Sequence, residues 1–255
     1  MAADSRTTWS TSEREGSTER TTVGIHFSDT ANKLFLCGNR FGVSTCGDAS
    51  VQGRSIATWM DGFQYEEFAD EESIASVANK LGRFFAGLHP RKMIEFHVVG
   101  YEQVEGSRVL SFCSVYVKDD GGYEVSGPAR GCGANWGGET ATLSRLIKDC
   151  FIADASEYRS ADDLTVVTIR DGAEAREHLG GVTILSPGVR HYSEANIQWR
   201  SFTLQEAIDF AIYAVRTTIA TLRFQSRPVT VGEPIDVLVV KPNEVFWLSK
   251  KELHL

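Results

Sequence analysis

The sequence predicts an α+β protein in which antiparallel sheets are layered with paired helices, and three observations lead there. Strand-like and helix-like segments follow in the order strands, two helices, strands, two helices, strands, without strict β-α-β alternation. Consecutive strands are joined by short turn signals, Gly38-Asn39, Glu105-Gly106 and Asp119-Asp120-Gly121-Gly122. The helical segments each carry one apolar stripe that must be buried against a neighbour. With 255 residues, 42% of them apolar and 24% charged, the chain can build one large core. The expectation is a single domain over residues 1–255 with an irregular insertion around 152–202, where the pattern is weakest.

After a polar opening from Thr7 to Arg20, apolar residues alternate in segments 23–27, 33–37 and 41–46, read as three strands. Val51, Ile56, Trp59, Met60 and Phe63 then share one helical face; Ile74, Val77, Ala78, Leu81, Phe84 and Phe85 share another, stopped by Gly87 and Pro90. From Met93 the period is two, giving strands through Ile94, Phe96 and Val98, through Val109 to Val117, and at residues 123–125. A short helix fits residues 140–151, and residues 164–169 read as a strand. Thr203 and Glu206 form a capping box, in which hydroxyl and carboxylate each satisfy a free backbone N–H. Leu204, Ile208, Ala211, Val215, Ile219 and Leu222 continue it as the best-defined helix, and residues 235–240 and 245–248 close the chain as a hairpin.

Composition excludes several classes of function. Lys and Arg number 26 against 34 Asp and Glu, a formal charge of −8, so no nucleic-acid or anionic-lipid partner is expected. No apolar run approaches the ~20 residues of a membrane span. The opening lacks the apolar core and basic start of a signal peptide, so the expected location is cytoplasmic. Five scattered cysteines with no C-x-x-C pair, and six scattered histidines, predict neither disulfides nor a metal site. His89 reads as a loop residue and His97 as a half-buried strand residue. The Gly131-Cys132-Gly133-Ala134-Asn135-Trp136-Gly137 segment lacks the spacing and the β-α-β context of a dinucleotide loop, and no other cofactor motif occurs. Trp9, Trp59, Trp136 and Trp199 either fill core or line a ligand pocket.

Three segments carry chemistry when taken together: Ala2-Ala3-Asp4-Ser5-Arg6, the strand opening Asn32-Lys33-Leu34, and the strand end Gly42-Val43-Ser44-Thr45-Cys46-Gly47 before the first helix. In order and spacing they resemble the opening of proteasome β-type subunits and the related HslV-type peptidases. The closing helix and strand resemble the end of such subunits. The resemblance implies a four-layer αββα sandwich, two antiparallel sheets between helix layers, and the chemistry of N-terminal-nucleophile hydrolases. There a residue-1 side chain attacks an amide carbonyl while the free α-amine serves as base. It also implies that Asp4 and Lys33 lie within a few ångströms of each other and support the nucleophile. Cys132, between Gly131 and Gly133, matches the place of a serine that assists the N-terminus. Substrates would be peptides or other amides, with a homo-oligomeric ring as the assembly and no cofactor.

The chain departs from that pattern in two places. No Thr, Ser or Cys stands at residue 1, and removal of Met1 exposes Ala2, which has no nucleophilic atom. The family's late Asp- and Ser-bearing segment corresponds to residues 228–233, which hold neither. Two readings follow: a threonine-type peptidase whose nucleophile-bearing first strand precedes Met1, inactive in the 255-residue form, or a non-catalytic binding or assembly protein on the same scaffold.

Overall fold

In the computed structural model the described residues are 1–15, 18–68, 73–152, 157–160, 166–168, 182–183, 190–194 and 197–252, with side chains described for 1–8, 28–68, 73–147 and 197–252. The chain divides into two compact units, one of residues 1–140 with 198–255 and one of residues 141–197. The expected insertion at 152–202 overlaps the second unit over most of its length.

The first unit opens with β1 (Ala2–Ala3), β2 (Thr7–Glu15) and β3 (Thr18–Ser28), then β4 (Leu34–Cys37), β5 (Phe41–Gly47), β6 (Ser50–Val51) and β7 (Arg54–Ser55). Helices α1 (Ile56–Glu66) and α2 (Ile74–Gly87) follow, then β8 (Ile94–Val104), β9 (Ser107–Val117) and β10 (Tyr123–Arg130). The main sheet is antiparallel in the order β10-β9-β8-β5-β4. Its turns use the expected residues: Glu105 and Gly106 both hold positive φ, 48° and 82°, as a two-residue hairpin requires.

Helices α1 and α2 each start where a serine can accept from the first turn. Ser55 caps α1 and Ser73 caps α2, each worth about 1 kcal/mol. Helix α2 lies against β8, β9 and β10, and its Ile74, Val77, Ala78, Leu81 and Phe85 are wholly buried. They meet Phe41, Val43, Ile94, Phe96, Val98, Cys113, Val115 and Val117 of the sheet in one cluster, with Phe85 and Phe96 ring centroids 4.6 Å apart. Each such side chain contributes roughly 1.5–3 kcal/mol.

The second unit holds α3 (Ala141–Ile147), then β11 (Lys148–Ile152), β12 (Glu157–Ser160), β13 (Val166–Thr168), β14 (Val182–Thr183) and β15 (Arg190–Glu194). Strand β11 pairs with β15, and β12 pairs with both β13 and β14. The chain then returns to the first unit through a short 3-10 turn, Trp199–Ser201, into α4 (Leu204–Leu222), β16 (Asp236–Lys241) and β17 (Glu244–Ser249). The Thr203 capping box forms with both of its hydrogen bonds. A second antiparallel sheet runs β1-β16-β17, with Ala2 opposite Val237. Strand β16 contacts β4, β5 and β8, and α4 contacts β1 and β16.

Two expectations need correction. The polar opening is a strand: residues 7–15 pair with 18–28 as a hairpin, and the apolar 23–27 segment is only its last part. Its polar residues hid it, because a ladder of backbone hydrogen bonds needs no apolar alternation. The helix expected over 140–151 ends at Ile147, and Lys148 begins β11. Among the described residues no helix is long and apolar enough to cross a membrane.

Candidate active site

Asp4 follows β1 and Lys33 precedes β4, and the fold brings these two together. Lys33 Nζ donates to Asp4 Oδ1 at 2.8 Å, with side-chain exposures of 22% and 12%. The other carboxylate oxygen accepts from the backbone N–H of Arg6 at 2.9 Å and of Gly232 at 3.1 Å. Three donors therefore fix one carboxylate, and the carboxylate fixes the ammonium. The surrounding backbone is tied down as well. Ser5 is fully buried, its N–H donating to Gly232 O at 3.0 Å and its hydroxyl to Pro234 O at 2.7 Å. Arg6 grips Asp29 with two hydrogen bonds of 2.7 and 3.0 Å, and a Cβ on Gly232 would stand 2.5 Å from its Nε. Within residues 228–233, Gly232 meets Asp4 through its backbone N–H.

A second cluster lies beside the first, and the sequence alone did not reveal it. Cys46 on β5, Glu95 on β8 and Tyr116 on β9 stand opposite one another; Ser44, His97 and Ser114 form the next row on the same face. Cys46 Sγ donates to Glu95 Oε2 at 3.3 Å, and Glu95 Oε1 lies 2.9 Å from His97 Nε2. The His97 hydrogen bond, outweighing burial, holds the Glu95 carboxyl below its ordinary range. Burial, reinforced by the Glu95 charge, pushes the Cys46 thiol up to about 12, against a smaller lowering by Lys33. Cys46 is therefore a neutral donor at physiological pH and no nucleophile.

The 131–138 loop covers this cluster. Arg130 pairs with Ser111, which pairs with Gly100, so the chain leaves β10 at the Tyr101 end of the sheet. Cys132 is exposed there, close enough to Tyr101 to help raise that phenol's pKa after burial. Tyr101 lies roughly 16 Å along β8 from Phe96, the partner of Thr45, whose N–H donates to Lys33 O. The loop then runs back over the polar face: Asn135 Nδ2 donates to Ser114 Oγ at 3.5 Å, and Gly137 sits on the cluster. A Cβ at Gly137 would stand 2.8 Å from Glu95 Oε2, 2.9 Å from Cys46 Sγ and 3.0 Å from His97 Cε1. So the structure joins Asp4 with Lys33, and Cys132 is an exposed residue of the loop that follows β10.

Two of the four candidate tryptophans pack against aromatic neighbours. Trp59 donates its Nε1 hydrogen to Val51 O at 2.9 Å and meets Phe84 edge-on; Trp199 packs with Phe202 and Phe210. The Trp9 side chain lies outside the described residues. Among the described residues no cluster of three His, Cys, Asp or Glu could hold a metal ion. Compared with known families and with curated proteins, the sequence matches no family model and no curated relative.

Proposed function

We propose that this chain is the scaffold of an N-terminal-nucleophile amide hydrolase, similar to the proteasome β-type peptidases, and that Asp4 and Lys33 are its nucleophile-supporting pair. The carrying observation is the 2.8 Å Lys33–Asp4 contact made across 29 residues of chain, with the carboxylate held by two further backbone donors. An ammonium fixed in that way presents a preorganised positive field. It lowers the cost of deprotonating a hydroxyl or thiol brought beside it and stabilises the negative charge that develops during attack on an amide. Substrates are peptides or other amides.

The contacts of α2 with the main sheet, of that sheet with β16, and of β16 with α4 support a four-layer αββα arrangement. The backbone also offers a route for a nucleophile. Met1 N donates to Leu238 O at 2.8 Å and Leu238 N donates to Met1 O at 3.0 Å, so residues joined ahead of Met1 in the same ladder would run along Val239 and Val240. Without a nucleophile at residue 1 the 255-residue form is proposed to be inactive. The test compares that form with one carrying an added strand that begins with Thr, using N-terminally blocked fluorogenic peptides. Turnover only in the longer form is expected. Peptide binding without cleavage in both forms would favour the binding or assembly reading instead.

A further inference from the structure

A second lysine–aspartate pair adjoins the first along both of its segments. Lys251 follows β17 and Asp236 begins β16; their side chains are 5% and 4% exposed. The Lys251 backbone N–H donates to Asp236 Oδ1 at 2.7 Å, and its ammonium donates to Oδ2 of the same carboxylate. Desolvation offsets most of the attraction in a buried ion pair, so stability alone is a weak reason for one.

The contacts of the pair supply another. Asp236 stands opposite Ala3, the residue before Asp4. The Lys251 ammonium also donates to Asn32 Oδ1 at 3.4 Å, and Asn32 is the residue before Lys33. One ammonium thus spans the two segments whose next residues make the 2.8 Å Lys33–Asp4 contact. Between those segments in sequence lies the β2–β3 hairpin, whose strands form a two-stranded sheet of their own. The separation of Asp4 from Lys33 is therefore set by cross-ties and not by the chain that connects them. Arg6–Asp29 and the Ala31 N–H on Ser5 O, at 3.0 Å, are two such ties.

We propose that Lys251 is a positioning residue for the Asp4–Lys33 pair, acting through Asp236 and Asn32 to hold the two segments where Lys33 reaches Asp4. Its meaning for catalysis rests on the hydrolase reading, whereas its geometry does not. With the Arg6 and Ala31 ties still in place, loss of the Lys251 contacts loosens the pair and leaves the fold.

Acylation of Lys33 by an amine-reactive ester in the 255-residue chain, read by mass spectrometry of its peptide, tests this, because the ammonium must leave Asp4 before it reacts. Asp4→Asn sets the rate of a released Lys33. Asn32→Ala keeps the Lys251–Asp236 pair and should speed acylation roughly fivefold, the share of one hydrogen bond, with the urea midpoint unchanged. Lys251→Met with Asp236→Asn removes both buried charges and keeps an acceptor for the residue-251 N–H, so stability should stay near the parent's. Lys33 in that double variant should react at least as fast as in Asn32→Ala. A pair that only stabilises the fold predicts the parent rate there. Parent rates in folded Asn32→Ala, or in the folded double variant, would overturn the proposal; if the double variant does not fold, Asn32→Ala decides. Absence of turnover in the extended form would strike the hydrolase reading and leave this measurement as it stands.

Discussion

The two faces of the main sheet are built from the same three strands and do opposite work. On the α2 side, Phe41, Val43, Ile94, Phe96, Val98, Val115 and Val117 are closed against the helices, and the polar residues that alternate onto this face, Thr45 and Ser111, hold buried hydroxyls. On the other side, one residue along each strand, stand Ser44, Cys46, Glu95, His97, Ser114 and Tyr116; Glu95 is hydrogen-bonded to Cys46 and His97, and a glycine loop covers the cluster. Strand periodicity separates stability from chemistry: the apolar face holds the sheet, and that rigidity fixes the spacing of the polar face.

Neighbouring substitutions should break this contrast unequally. Phe96→Ala, which empties a fully buried site beside Phe85, should cost about 3–5 kcal/mol in urea unfolding. Glu95→Gln, one residue away, should cost about 1–3 kcal/mol by leaving Cys46 and His97 poorly partnered. Equal losses would mean that the polar face is as much a part of the core as the apolar one.

The polar side also carries the buried α-amine, since Met1 packs over Gly42 there. Burial lowers that amine to about 6, from 8.0. Between these values the unfolded chain binds more protons than the folded one, so stability is full above pH 8 and falls as pH drops toward 6. The loss is about 2 kcal/mol. Thermal unfolding of the 255-residue form should show this slope, and joining residues ahead of Met1 should abolish it.

Gly137→Ala should cost about 1–3 kcal/mol by pushing its loop off Glu95, Cys46 and His97, and should speed Cys46 labelling by a thiol reagent. Unchanged labelling would show that the loop does not shield the cluster. The smallest effect concerns acid. The Glu95 carboxyl titrates below its unfolded value, so its contribution is complete above about pH 4.3 and is lost as pH falls through the lower folded value. Glu95→Gln should flatten that part of the stability profile.

Much of this contrast was legible in the sequence, and the part that was not has a physical reason. Alternation of Ile94, Phe96 and Val98 announced a strand with one buried face, and the Glu105-Gly106 turn fixed its partner. The Asp4–Lys33 contact was expected from a family resemblance, since nothing in composition or period joins residues so distant in the chain. The Cys46–Glu95–His97 cluster went unseen because it depends on register: only the pairing of β5 with β8 sets Cys46 opposite Glu95. Cys132 was singled out by the glycines that flank it, and it lies exposed in the loop that begins where β10 ends. The β2–β3 hairpin escaped notice because its ladder uses polar residues.

The most direct measurement of the proposed chemistry is covalent labelling of an N-terminal Thr placed on a strand joined ahead of Met1, in the parent and in Lys33→Ala. An amide-reactive probe should label that Thr in the parent, with a pH profile set by the nucleophile. Lys33→Ala should slow labelling by about 10²–10⁴-fold while the protein stays folded by circular dichroism. Equal labelling rates in two folded proteins would contradict the assignment of Asp4 and Lys33 as the pair that supports the nucleophile.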